Sequence, residues 1–194
     1  MLEQGADVIV VACNTATAAA IKTLREEYTV CFIGMEPAIK PAAALTRTGV
    51  VGVLATAGTL KADKYKDTKG RHAEDVIVVE HIGKGFVELV ESGETVGPKA
   101  EATVTESLEP LLDAGADTIV LGCTHYPFLS ETISKVASSL TPSREISIID
   151  PAPAVARRLH EVMTKENTIK REGFSLSLHA SGDDSLLRNI AASL

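Results

Sequence analysis

The sequence predicts an α/β fold in which mainly parallel sheets flanked by helices form two pseudo-symmetric lobes with a cleft between them. Three observations carry that prediction. Short, β-branched apolar runs alternate with longer segments of helical periodicity, the pattern of parallel strands connected through covering helices. Two of the runs, VIVVAC and TIVLGC, end on a cysteine where a strand gives way to a loop. Nearly the same phrase, GADVIVVACNT and GADTIVLGCTH, is also written twice, 110 residues apart.

The elements follow in order. Asp7–Ala12 is almost continuously apolar, as a strand buried on both faces requires. Thr17–Glu27 has helical spacing, Thr29–Ile33 is the second strand, and Pro37–Thr46 is a helix opened by proline. Gly49–Leu54 and Asp75–Glu80 read as strands, and the polar stretch Lys61–Glu74 between them reads as a solvated connection. Pro98–Ala114 is a long helix that leads into the strand Thr118–Gly122. Leu129–Ser139 is helical, Glu145–Ile149 is the last strand and Pro151–Thr164 the last helix, followed by a polar connection at Lys165–Gly173. The first lobe is expected to comprise residues 1–36 plus 147–194, and the second residues 37–146.

Composition narrows the functional classes. A content of 45% hydrophobic residues in 194 supports a sizeable core. The apolar runs fall far short of a membrane span, and no basic-then-apolar leader opens the chain. Three cysteines, an odd number, argue against a disulfide framework and for a reducing cytoplasm. A net charge of −7 and 4% aromatic residues argue against a nucleic-acid partner.

The duplication is specific. Under the 110-residue offset, Leu2, Gly5, Ala6, Asp7, Ile9, Val10 and Cys13 meet identical residues at 112, 115, 116, 117, 119, 120 and 123, seven identities in fourteen positions. Two copies of one helix-strand-loop unit would present a thiol from each lobe to a shared cleft. A helix precedes Gly115 whereas four residues precede Gly5, so the first lobe is expected to lack its beginning and the chain to be a fragment, a late start or a half that needs a partner.

Four chemistries compete for such a thiol pair. A redox couple is disfavoured because CxxC spacing is absent. A metal site built on Cys123 and His125 lacks the clustered donors that zinc requires, so no metal is expected. A single nucleophilic cysteine beside a histidine explains the second copy alone. Two acid-base thiols on opposite faces of one carbon explain both, since a proton leaves one face and another arrives on the opposite face without a cofactor. An ordinary thiol pKa of about 8.5 lies close enough to neutrality for a helix N-terminus to make thiol and thiolate both accessible. Asn14, Thr15 and Thr124 stand at expected helix starts, where neutral donors bind carboxylates. Cys31, in TVCFIG, reads as an inert strand thiol.

At these residues the chain resembles the glutamate racemases of the cofactor-independent aspartate/glutamate racemase family. The motifs are VVACNTATA and LGCTHYPFL, with GMEPAIKPA, GVLATAGTL and GFVELVESG between them in the family's order. The likeness runs from Met1 to about Asp150 and more weakly through PAPAVARRLHE. It implies interconversion of L- and D-glutamate without a cofactor, supplying D-glutamate for peptidoglycan. It further implies that Cys13 is the base toward D-glutamate and Cys123 the base toward L-glutamate, with His125 assisting Cys123 and Glu91 holding His125. Asn14, Thr15, Thr56, Thr59 and Thr124 would bind the substrate. A small-molecule partner is thus expected, with a homodimer as a candidate assembly and no membrane partner.

The chain also departs from the family pattern. Members begin with a strand bearing an Asp-Ser pair and continue to a Pro-Tyr-Gly loop, and neither occurs in these 194 residues. Cys13 is accordingly expected to lack the Asp that partners it, and the activity of the chain itself is in question. HIGKG stands before FVELVE where members often show Cys-Pro. The competing readings are a racemase of another acidic amino acid, a one-thiol decarboxylase, or an inactive fragment that binds a dicarboxylate or a partner chain.

Overall fold

The computed structural model describes residues 1–72, 75–165 and 175–192. After a 3-10 turn at Leu2–Gln4 come β1 (Val8–Val11), α1 (Asn14–Glu27), β2 (Cys31–Gly34), α2 (Ile39–Leu45), β3 (Val50–Ala55), α3 (Ala57–Lys61), α4 (Asp63–His72) and β4 (Ile77–Ile82). They are followed by α5 (Phe86–Ser92), α6 (Pro98–Asp113), β5 (Thr118–Gly122), a 3-10 turn at Tyr126–Leu129, α7 (Ser130–Leu140), β6 (Ser147–Ile149), α8 (Ala152–Lys165) and α9 (Ser185–Ala192). The class is α/β, with every strand pairing parallel.

Two sheets result, one of two strands in the order β1-β2 and one of four in the order β4-β3-β5-β6. The central strands of the larger sheet, VVGVLA and TIVLG, are buried along their whole length, which is why they read as unbroken apolar runs. Their side chains alternate between two cores. Leu54, Ile119 and Leu121 pack on one face with Leu108 and Leu111 of α6 and Ile133 of α7. Val51, Val53 and Val120 pack on the other with Ile39 and Ala42 of α2 and Tyr65 of α4. Burial of each such side chain contributes roughly 1.5–3 kcal/mol.

The smaller sheet has a correspondingly small core of Ile9, Ile21 and Phe32. Met1 and Leu2 are 75% and 43% exposed beside an open groove of about 600 Å³, whereas their counterparts under the offset, Leu111 and Leu112 of α6, are buried. Helix α8 packs against β1 and β2. The last strand, β6, pairs with β5 and so joins the four-stranded sheet, three residues past the boundary at 146 that the sequence suggested.

The structure corrects the sequence reading at Lys61–Glu74, where α4 replaces the expected loop. Only Tyr65 and Thr68 turn inward, one helical turn apart, and they seat α4 against α2 and α1. Asp63, Lys66, Asp67 and Arg71 are exposed, and such polar positions obscure the inward stripe. The strand expected at 75–80 lies at 77–82, in register from Val50↔Ile77 to Ala55↔Ile82. Helices α3, α5 and α9 are additional to those expected. The connection expected at 165–173 lies, beyond Lys165 at the end of α8, outside the described residues.

Candidate active site

Strand order in the four-stranded sheet reverses between β3 and β5, and in an open parallel sheet such a switch point opens a crevice beyond the strands' carboxyl ends. The residues that leave those ends here are Thr56 and Cys123. Gly122 makes the junction possible. A Cβ there would stand 2.7 Å from the Ala55 Cβ and 3.0 Å from the Leu54 carbonyl, so only glycine lets the two strand ends approach this closely.

Cys123 is half-buried, and its Sγ lies 4.0 Å from His125 Nδ1. The other imidazole nitrogen, Nε2, is 3.3 Å from Glu91 Oε1 on α5. A carboxylate at Nε2 favours the proton on that nitrogen, which leaves Nδ1 as an acceptor facing the thiol. Burial pushes the Cys123 thiol above its ordinary pKa, the backbone N–H of His125 opposes that, and the charge of Cys13 reinforces it. The N–H groups of Tyr126 and Thr124 also favour the thiolate. The turn that follows β5 is therefore a nest of backbone donors around one sulfur.

Cys13 caps the first turn of α1. Its backbone is extended and its Sγ accepts from Ala16 N–H at 3.5 Å, the place a Ser or Asp side chain fills in other helices. Thr15, in the same first turn, forms a triangle of hydroxyls with Thr56 and Thr59 at 2.9, 2.9 and 3.1 Å. Thr56 additionally caps α3 by accepting from Thr59 N–H. The triangle ties the first turn of α1, next to the small sheet, to the end of β3 in the large one.

The expected site residues thus form two groups, Cys123 with His125 and Glu91, and Thr15 with Thr56 and Thr59, with Cys13 at the head of the helix that bears Thr15. Thr124 belongs to the turn around Cys123, where its backbone N–H contributes. Asn14 differs from the rest. It is buried, borders a small interior cavity with Met35, Glu36 and Thr68, and its amide nitrogen and oxygen have no hydrogen-bond partner among the described residues. Cys31 is half-buried in β2.

Sequence reasoning missed Tyr126. It is 1% exposed, donates its hydroxyl to the Gly83 carbonyl at 3.2 Å, and meets Phe86 edge-on with centroids 4.9 Å apart. The only signal in the sequence was its place in CTHYP, which does not reveal a partner 43 residues away.

The chain matches the Asp/Glu/Hydantoin racemase family over residues 1–159. It is 48% identical over 171 residues to a glutamate racemase of Methylococcus capsulatus, covering 88% of this chain and 61% of that protein. A glutamate racemase of Herpetosiphon aurantiacus is 44% identical over 185 residues, 94% of this chain and 71% of its own length. Among solved structures, a Thermus thermophilus glutamate racemase bound to β-chloro-D-alanine superposes with a TM-score of 0.77 at 31% identity, over 98% of this chain and 69% of that one. An Escherichia coli glutamate racemase, in complex with L-glutamate and an activator, gives 0.72 at 34% identity, over 82% and 59%. The chain therefore spans about three-fifths to seven-tenths of the length of these relatives. With a family match across 159 of its 194 residues and relatives of this identity, the chain belongs to the Asp/Glu/hydantoin racemase family.

Proposed function

We propose that the chain carries the two-thiol machinery for interconverting L- and D-glutamate. The observation that carries this reading is the duplicated phrase, which sets Cys13 past β1 at the head of α1 and Cys123 past β5 beside His125. The reaction requires one sulfur as thiolate and the opposite one protonated at the start of each turnover. The thiolate takes the α-proton from one face, breaking C–H and forming S–H, and the opposite thiol gives its proton to the other face of the planar carbanion. Net proton count is unchanged, and the roles exchange for the mirror-image substrate.

In this reading Cys13 acts on D-glutamate and Cys123 on L-glutamate, with His125 relaying proton affinity to Cys123 and Glu91 fixing the imidazole. The glutamate carboxylates are held by neutral donors at Thr15, Thr56, Thr59 and Thr124, and the Asn14 amide gains the partner it otherwise lacks. The organisation into a first lobe of 1–36 plus 147–194 and a second of 37–146, with the cleft between them, belongs to the same proposal. So do the cytoplasmic setting, the supply of D-glutamate to peptidoglycan and a homodimer. No helix among the described residues is long and apolar enough to cross a membrane.

The test is incubation with each glutamate enantiomer in heavy water, following the α-proton by NMR and handedness by circular dichroism. Both enantiomers are expected to exchange and drift to a racemate. Cys13→Ser and Cys123→Ser are each expected to lower the rate by roughly 10²–10⁴-fold, the contribution of a positioned acid or base. Racemisation that survives Cys13→Ser would sink the two-thiol mechanism, and silence of the unmodified chain toward both enantiomers would sink the proposed activity.

A further inference from the structure

We propose that Tyr126 is a positioning residue for the second thiol: it pins the turn around Cys123 to the head of α5, so that Cys123, His125 and Glu91 keep one geometry. The proposal rests on the reading of Cys123 as a working thiol.

The turn Cys123–Tyr126 touches α5 at two separate places. His125 meets Glu91 through a half-exposed polar contact, and Tyr126 meets Phe86, the first residue of that helix, inside the core. A single exposed contact of the first kind leaves the turn free to rotate about it and is worth little by itself. A second, buried contact five residues earlier on the same helix removes that freedom. Tyr126 supplies it with a ring packed edge-on against Phe86 and a hydroxyl bonded to the Gly83 carbonyl at the exit of β4. Its backbone closes the turn as well, by donating to the Cys123 carbonyl at 3.1 Å.

Gly83 completes the fit. A Cβ there would stand 2.6 Å from the Tyr126 hydroxyl, so the ring reaches the carbonyl because position 83 has no side chain. Burial pushes the phenol far above its ordinary pKa, which keeps the hydroxyl protonated and makes it a donor and an anchor. Tyr126 therefore acts through the turn and not on a substrate proton.

Removing the anchor while keeping the ring isolates this role. Tyr126→Phe keeps the ring against Phe86 but releases the turn from Gly83, so the backbone N–H groups no longer converge on Cys123 and its thiolate becomes harder to form. Gly83→Ala approaches the same contact from the other side and serves where the first variant does not fold. The probe is iodoacetamide, with the alkylation rate of Cys13, Cys31 and Cys123 followed separately against pH by peptide mass spectrometry. Both variants are expected to move the Cys123 midpoint up by about half a pH unit or more, a roughly threefold lower rate below the midpoint, and to leave Cys13 and Cys31 in place. An unchanged or lowered Cys123 midpoint would overturn the role, and so would an equal shift at all three cysteines, which marks general loosening. Labelling needs no glutamate turnover. A chain that fails to racemise yet shows the selective shift would overturn the proposed reaction and leave the positioning role standing.

Discussion

At the scale of single residues, the duplicated phrase separates what was written in the sequence from what only folding reveals. Asp7 and Asp117 are identical under the offset, but Asp117 is buried and accepts from the Thr46 hydroxyl at 2.5 Å and the backbone N–H groups of Arg47 and Thr48 at 2.7 and 2.9 Å. Burial raises its pKa, and these bonds outweigh burial and hold it below the usual carboxylate value. A folded pKa below the unfolded one means that the carboxylate's stabilisation is complete above the unfolded value of about 3.9 and is lost as pH falls through the lower folded value. Asp117→Asn is therefore expected to cost about 1–3 kcal/mol near neutrality and to flatten the acid limb of a pH-denaturation curve. An unaltered acid limb would refute the assignment. The two cysteines were legible because the phrase repeats around them. The anchor at Tyr126 was not, since its partners come from a strand end and a helix start remote in sequence.

At the scale of elements, the strands of the large sheet were legible because complete burial leaves an uninterrupted apolar run. Helix α4 was not, because two inward residues, Tyr65 and Thr68, suffice to seat it in an otherwise polar sequence. Polarity misleads wherever a helix needs only a narrow apolar stripe. The β3-β5 junction yields a direct test. Gly122→Ala forces a methyl group against Ala55 and the Leu54 carbonyl, and is expected to lower stability by about 1–3 kcal/mol through overpacking. A denaturant titration that shows no change in midpoint would mean that the strand ends part without strain.

At the scale of the molecule, the two sheets are unequal. The large one is covered by helices on both faces, while the small one rests on a three-residue core beside an open groove. Local stability follows burial, so amide hydrogen exchange is expected to be slowest in β3 and β5 and markedly faster in β1 and β2. Equal protection in the two sheets would show that they unfold as one unit. The thiols consequently stand on unequal footings, Cys123 beyond the firm sheet and Cys13 beyond the soft one. The duplication made the symmetry of the design readable in the sequence; the inequality of its halves had to come from packing.

The hydroxyl triangle that spans the two sheets has one more property. Three hydroxyls closed in a ring can pass their protons round clockwise or anticlockwise, and the two senses make the same number of bonds. An anion arriving at Thr15 or Thr56, the two corners that are not buried, breaks the degeneracy, because the hydroxyl it meets turns outward and the others re-thread behind it. Such a ring re-aims a donor without displacing a heavy atom, an indifference to handedness that the proposed interconversion of mirror images would use.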